Sequence, residues 1–279
     1  MYRSALFCLA LILITAFPFL SAAGMNSESD STENSENIFW ANSNINTASV
    51  FREEPGMLRL SVRHTFGMLD GGIDTFFGVD QGAHTRIGIE YGITERLSAG
   101  IGRMGFQNVV DIHSKYTLTK QSQFDAFPLE TALRISTGID TRSGIDRNFT
   151  ERSTYLTSLM LAYSFGNFRL QASPMYAHYN YLDGSVNNSQ LFGAGLSAKY
   201  LLTDEIAASV EYLPVIGTRN EDTSDNLGLG IHIDGGVIIY QVFLSATQWH
   251  NEQYIMANNN DRFWEGDIRI GFNLQRELF

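Results

Sequence analysis

The stretch Val110-Asp-Ile-His-Ser-Lys-Tyr-Thr-Leu118 alternates between two kinds of side chain, which are mostly apolar at even-numbered positions and mostly charged or polar at odd-numbered ones. Side chains on a β-strand point to opposite faces with a period of two, so the stretch has one apolar and one polar face. The same pattern recurs in segments from Met57 to Phe272. Behind an export signal, such segments are typical of a transmembrane β-barrel, with lipid outside and water or a polar core inside. The pattern therefore predicts an all-β fold, a closed antiparallel barrel of even strand number and up-and-down topology.

The N-terminus predicts export. Arg3 precedes an apolar run from Ala5 to Leu20, and Ser21-Ala-Ala23 offers small residues for cleavage before Gly24. The alternative is a membrane anchor, but the run is shorter than the ~18 residues that a spanning helix needs. We therefore expect a signal peptide over residues 1–23, a polar flexible leader over residues 24–48, and one barrel domain over residues 49–279.

Composition limits the chemistry of the chain. Its one cysteine, Cys8, lies in the expected signal peptide, so the expected mature chain has no disulfide and no thiolate metal site. With 19 Lys and Arg against 30 Asp and Glu, the chain is acidic, which argues against a nucleic-acid partner. We expect outer-membrane lipid and lipopolysaccharide as surroundings, the barrel-assembly machinery during biogenesis, and an outer-membrane location.

No motif predicts a cofactor or a metal ion. Gly100-Ile-Gly-Arg-Met-Gly105 matches the glycine spacing of a dinucleotide site, but it lies within an alternating strand and no helical period follows. We expect these glycines to make room for large inward side chains of neighbouring strands. The acidic clusters of the loops lack the spacing of a calcium-binding loop, and the histidines His84, His113 and His232 are scattered.

Twelve strands are expected, and their connections alternate in length. Placing the N-terminus in the periplasm puts nearly every long loop outside, as in outer-membrane barrels. The pair 104–107 and 119–128 breaks this order. Aromatic residues at both ends of the strands fit two interfacial girdles, although a soluble β-sandwich also uses aromatics. The expected strands cover residues 57–66, 83–91, 97–103, 108–118, 129–139, 154–164, 168–178, 190–201, 206–213, 227–234, 237–249 and 263–274.

Several motifs between Phe51 and Gln121 carry a family resemblance. They are His64-Thr-Phe-Gly67, Phe76-Phe-Gly-Val-Asp80, Arg86-Ile-Gly-Ile-Glu-Tyr-Gly-Ile-Thr-Glu-Arg-Leu97 and Gly100-Ile-Gly-Arg103, with Gly271-Phe-Asn-Leu274 near the end. The chain resembles a bacterial outer-membrane β-barrel family catalogued as a domain of unknown function. The resemblance implies a barrel at the outer membrane and no particular activity. The chain ends in Phe279, as many such barrels do, although Phe279 is out of phase with Phe272.

Charged and histidine residues on the polar phase are candidates for the lining of the lumen. They would either border a water-filled path that selects solutes, or form a salt-bridged interior that holds the strands in register. The hypothesis of a water-filled path predicts a narrow pore for passive or weakly selective passage of small solutes. The second predicts a non-conducting structural or partner-binding barrel. The candidates are Arg59, Arg63, Arg86, Glu90, Arg103, Asp111, His113, Lys115, Glu130, Arg134, Lys199, Glu211, His232 and Asp234.

A third hypothesis is an enzyme that modifies lipids. His64 lies on the apolar phase, and a lipid-facing His could act with a nearby Ser and Asn. Ser61 is on the opposite face, so no partner is evident in the sequence. The hypothesis requires that a Ser and an Asn side chain converge on His64 or His178 outside the barrel, and we expect no catalytic residue.

Overall fold

The computed structural model describes residues 39–121, 128–182 and 188–278. The expected signal peptide, most of the expected leader and Phe279 lie outside the described residues. Within the described part of the chain, no helix is long and apolar enough to cross a membrane.

The described residues form one antiparallel sheet that closes on itself. Successive strands pair in chain order, and β1 pairs with β13 to close the circle. Pro214 separates β9 from β10, both of which pair with β8, so the two count as one of twelve barrel strands. The strands are β1 Leu58–Met68, β2 Ala83–Gly92, β3 Leu97–Met104, β4 Val109–Thr119, β5 Glu130–Asp140, β6 Ser153–Phe165, β7 Phe168–Tyr179, β8 Gln190–Leu201, β9 Ile206–Leu213, β10 Val215–Ile216, β11 Asn226–Asp234, β12 Ile238–Ser245 and β13 Arg269–Glu277.

The two faces of the wall follow the alternation of the sequence. On β4, Ile112 and Tyr116 are 50% and 44% exposed on the outer face, whereas Asp111 and Lys115 are each 3% exposed on the inner face. An outer surface of exposed aliphatic and aromatic side chains would be unfavourable in water and suits contact with acyl chains. The predicted fold class is confirmed.

The last two strands differ from their predicted bounds. The strand predicted over 237–249 ends at Ser245, and the strand predicted over 263–274 begins only at Arg269. Ser245 pairs with both Gly228 on β11 and Arg269 on β13, and neither ladder pairs a residue beyond it. After Ser245 the chain makes one more backbone hydrogen bond to β11, from Ala246 N to Leu227 O at 3.1 Å, and then leaves the wall.

Two segments of the chain occupy the lumen. The first, which we call the N-terminal insert, comprises residues 39–53, and residues 41–51 are all buried. The second, the inner loop, comprises residues 246–261 between β12 and β13 and contains the helix α1, Glu252–Asn258. The prediction of a flexible leader up to residue 48 is therefore wrong for residues 39–48. Their Asn, Ser and Thr side chains suggest solvent, but a polar lumen satisfies them equally well.

The inner loop is held by apolar packing. Ile255 and Met256 of α1 lie in a buried cluster with inward side chains of β6 to β9, including Leu156 and Leu191. Trp249 stacks on Tyr254 with 5.5 Å between ring centroids. Each large apolar side chain buried in this way contributes roughly 1.5–3 kcal/mol. The loop is therefore a fixed part of the barrel.

Candidate functional site

The predicted lumen residues lie on the inner phase of their strands, with one exception. The exception is Arg103, which shares the outer phase of β3 with Ile101, a residue that is 45% exposed. Gly100 and Gly102 take the inner positions instead. At the long-loop end of the barrel, the Arg103 guanidinium reaches Thr141 Oγ1 and Asn108 Oδ1 at 3.3 Å each. A long cationic side chain can extend to polar groups in this way at the edge of an apolar surface.

The inner glycines of β3 make room for neighbouring side chains, as predicted. A Cβ atom on Gly100 would lie 2.6 Å from the His113 imidazole. A Cβ atom on Gly102 would collide with the Arg86 guanidinium. Carbon atoms in proteins do not approach other atoms so closely, and a larger residue at either position would displace its neighbour. The glycine motif therefore serves packing inside the barrel.

Glu211 on β9 binds the tip of the N-terminal insert. Its carboxylate is fully buried and accepts hydrogen bonds from the backbone N–H groups of Ile45, Asn46 and Thr47 at 3.0, 2.9 and 3.1 Å. The Thr47 hydroxyl donates a fourth at 2.7 Å. Successive N–H groups that converge on one anion form a favourable electrostatic concavity. Glu211 is therefore an anchor for the insert and is not exposed to a water-filled path.

Inward amide side chains hold the rest of the insert. They were not among the predicted lumen residues because they carry no charge. Each lies on the inner phase next to the insert and bonds to its backbone. The bonds are Gln171 Oε1 with Val50 N (3.0 Å), Gln171 Nε2 with Ala48 O (2.8 Å), Gln241 Nε2 with Ser43 O (3.0 Å), Asn273 Nδ2 with Ile45 O (2.9 Å) and Gln275 Oε1 with Asn42 N (3.0 Å). The signal available in the sequence was Gln or Asn at inward positions of three strands, β7, β12 and β13.

Ion pairs concentrate on the side of the barrel formed by β1 to β5. Some lie within the wall, and others join the wall to one of the two segments in the lumen. The wall pairs are Arg86 with Asp111 (2.5 Å) and Lys115 with Glu90 (3.5 Å). The pairs with the lumen segments are Arg59 with Glu53 (2.7 Å), Glu130 with Arg52 (3.0 Å) and Arg134 with Glu252 (3.3 Å).

The remaining predicted residues also have partners. Inside the barrel, His113 lies 3.5 Å from Glu90 and 3.7 Å from Asp111. Lys199 lies 5.0 Å from the ring centre of Phe39, at the start of the insert. His232 contacts Ser209 Oγ at 2.7 Å and Gln241 Nε2 at 2.9 Å. Asp234 caps the following turn by accepting from the backbone N–H of Gly236 at 2.8 Å.

The arrangement required for a lipid hydrolase is not assembled within the described residues. His64 Nδ1 lies 2.7 Å from Thr85 Oγ1, and its ring stacks on Phe272 at 4.9 Å between centroids. His178 Nε2 lies 3.1 Å from Asn180 Oδ1. Neither imidazole has a serine hydroxyl among its partners in the described part of the chain. In the same residues, no group of three or more His, Cys, Asp or Glu side chains is placed to hold a metal ion.

Two cavities border the segments in the lumen. A cavity of about 510 Å³ lies at the long-loop end, above α1, and its lining includes Trp249, Tyr254 and Arg152. A second cavity of about 20 Å³ lies between the wall, the N-terminal insert and the inner loop.

An antiparallel sheet closed into a cylinder, apolar on its outer face and polar within, defines an outer-membrane β-barrel of porin-like architecture. The chain belongs to the family described as "Membrane bound beta barrel domain (DUF5777)", whose match covers residues 39–278. The predicted resemblance is confirmed.

Solved structures of outer-membrane proteins are similar in fold. The NanC porin superposes with a TM-score of 0.51 at 8% identity, covering 80% of this chain and 100% of that chain. An outer membrane channel from Pseudomonas putida F1 gives a TM-score of 0.47 at 11% identity, covering 81% and 97%. Outer membrane phospholipase A from Escherichia coli gives 0.45 at 11% identity, covering 79% and 90%. At these identities the likeness concerns the barrel alone, and the curated proteins contain no match.

Proposed function

We propose that the protein is an outer-membrane channel for small solutes that its own N-terminal insert closes. The observation that carries this proposal is the polar character of the contact between the insert and the wall. Glu211 and the inward amides bind backbone groups of the insert. A wall that served only as a scaffold would be more stable with apolar side chains inside.

Polar contacts of this kind can be exchanged for contacts with water. A hydrogen bond contributes only about 1 kcal/mol to stability, because water replaces either partner when the bond breaks. The insert has one small apolar cluster, where Phe39, Val50 and Phe51 meet Met160 and its neighbours, and its buried Ile45 packs separately against the glycines of β11. The inner loop has a larger apolar cluster. The insert is therefore the segment that can leave the lumen, while the inner loop stays.

The vacated space sets the size of the solutes. An extended chain occupies roughly 5 by 10 Å in cross-section, given the spacings between strands and between sheets. A barrel of twelve strands lies between the filled barrels of roughly 8 strands and the open channels of roughly 16. Passage of inorganic ions and small neutral solutes fits this opening.

Cutting the folded protein tests the proposal. Residues 54–56 form an exposed turn between the insert and β1 and can accept a site for a sequence-specific protease. After cleavage in a planar lipid bilayer, the insert can dissociate, and we expect conductance steps that the uncut protein rarely shows. The matched control carries the same protease site at Ile73, in an exposed loop, and should stay closed after cutting. A cut barrel that has lost its insert and still does not conduct would refute the channel.

A partner-binding barrel is the second candidate, and the cavity of about 510 Å³ at the long-loop end favours it. This function needs no open lumen. It predicts that neither the cut nor the uncut protein conducts ions in the bilayer, while the outer cavity remains intact.

We also propose that the chain reaches the outer membrane after cleavage of residues 1–23. The apolar run and the small residues before Gly24 support this assignment. The mass of the purified protein tests it, because the mature chain should begin at Gly24. A retained N-terminus would support a membrane anchor.

A further inference from the structure

The cavity of about 20 Å³ lies where the three parts of the closed barrel meet. Its lining includes Asn42 and Ala48 of the N-terminal insert, His250 of the inner loop, and Arg63 of β1. A space of this size accepts a single water molecule or a monatomic ion of similar radius. It is too small for phosphate, sulfate or a carboxylate ligand.

The charges around this cavity do not balance. Four Arg and Lys side chains line it, and three of them have a carboxylate partner. His113 also lines the cavity and lies against two of the same carboxylates, 3.5 Å from Glu90 and 3.7 Å from Asp111, so it brings no further negative charge. His250 stays neutral at physiological pH because burial lowers the pKa of its imidazole to about 3. The paired cations are Arg86 with Asp111, Lys115 with Glu90, and Arg134 with Glu252, and the fourth cation is Arg63.

Among the described residues, Arg63 donates hydrogen bonds only to neutral groups, because the nearby carboxylates Glu252 and Asp111 pair with Arg134 and Arg86. Its side chain is buried, with the residue 8% exposed. Its Nη1 atom donates to the backbone oxygens of Asn46 and His250 at 3.4 and 3.1 Å, and its Nε atom is buried without a hydrogen-bond partner. A buried charge without a counter-ion is costly, so a compensating negative charge would stabilise this site.

We propose that this cavity is a binding site for one chloride ion. A single monovalent anion brings the cluster of charged groups to neutrality, and the volume restricts the anion to a halide. Because Arg63 also contacts the N-terminal insert through Asn46 and the inner loop through His250, the bound anion stabilises the packed lumen. This site is independent of whether the barrel conducts.

Bromide replacement tests the site directly. Crystals of the wild-type protein grown in sodium bromide should show an anomalous peak in the cavity beside Arg63. Peaks confined to the protein surface, with a water molecule in the cavity, would refute the proposal.

Thermal unfolding in detergent gives a second test. Replacing sodium gluconate with sodium chloride at constant ionic strength should raise the melting temperature in proportion to the logarithm of the chloride concentration above the dissociation constant, by about 5 °C at a hundredfold excess. Arg63→Gln removes the excess charge and should abolish the chloride effect. Glu90→Gln adds an excess cation and should lower the chloride concentration at which the melting temperature begins to rise.

The control is Arg103→Gln, because Arg103 lies on the outer face and should leave the chloride effect unchanged. A purely structural role of Arg63 predicts lower stability in both salts with the chloride effect retained, and that result would overturn the proposal. If Arg63→Gln does not fold, two measurements still test the chloride site. They are the greater chloride sensitivity expected of Glu90→Gln and the bromide peak in the wild-type protein. None of these measurements depends on conductance, so this site and the channel can fail separately.

Discussion

Replacing Glu211 with glutamine should release the N-terminal insert from the wall. One carboxylate oxygen of Glu211 accepts from Ile45 N, Thr47 N and Thr47 Oγ1, and the other accepts from Asn46 N. Glutamine keeps the shape but has a single acceptor oxygen. The orientation that keeps most bonds points the amide oxygen at Ile45 N, Thr47 N and Thr47 Oγ1. The amide NH₂ then faces the Asn46 N–H, and this backbone donor has no acceptor.

The magnitude follows from these four bonds. An unsatisfied buried donor costs about 1–3 kcal/mol, and each remaining bond loses the extra strength that a charged acceptor gives, about 0.5–1 kcal/mol. The total is about 2.5–6 kcal/mol, and its lower end corresponds to roughly a hundredfold increase in the population with the insert released.

Cysteine labelling measures this population. The expected mature chain has no thiol, so Ala48→Cys places a single buried reporter in the insert. A membrane-impermeant maleimide should label it at a rate proportional to the released population, because closing is fast relative to labelling. Adding Glu211→Gln should accelerate labelling roughly a hundredfold.

The matched control is Glu205→Gln, an exposed carboxylate on the turn that leads into the same strand. It should leave the labelling rate unchanged. Equal rates in the Glu211 and Glu205 variants would show that the carboxylate is not the anchor, and the reasoning would be refuted.

Three further predictions concern the wall and the inner loop. Gly102→Val should displace the Arg86 guanidinium and cost about 2–4 kcal/mol, seen as a lower denaturant midpoint of the detergent-folded barrel. Ile112→Arg should cost about 2–4 kcal/mol in lipid vesicles, whereas Ile73→Arg, in a loop and 82% exposed, should cost nothing measurable. Burial lowers the pKa of His250, outside the spanning strands, from 6.5 to about 3. An unfolded His250 gains a proton more readily, so stability should fall as pH drops below 6.5, by about 2 kcal/mol at pH 5, and His250→Gln should remove that part of the pH dependence.

The sequence carried most of the information about the wall. Residues 110–118 alternate with one exception, Ser114, and a strand with lipid on one side favours this pattern, so strand positions and faces follow from it. The role of Gly100 also followed, since a glycine at an inward position leaves room for a neighbour. The prediction that Arg103 lines the lumen was wrong, because a charged residue was assigned to the polar phase. At the end of a strand, a long cationic side chain can reach polar loops from either face.

Taken alone, the order of apolar and polar residues determined that this chain makes an outer-membrane barrel and which side chains its wall turns inward. Only the tertiary structure decided what those side chains face. A polar segment such as residues 39–53 satisfies its hydrogen bonds equally well in water or against polar side chains, so its composition does not distinguish an exposed leader from a buried insert. Whether the lumen is occupied depends on contacts between residues that are distant in the sequence, such as Asn46 and Glu211. The local alternation of apolar and polar residues does not predict such contacts.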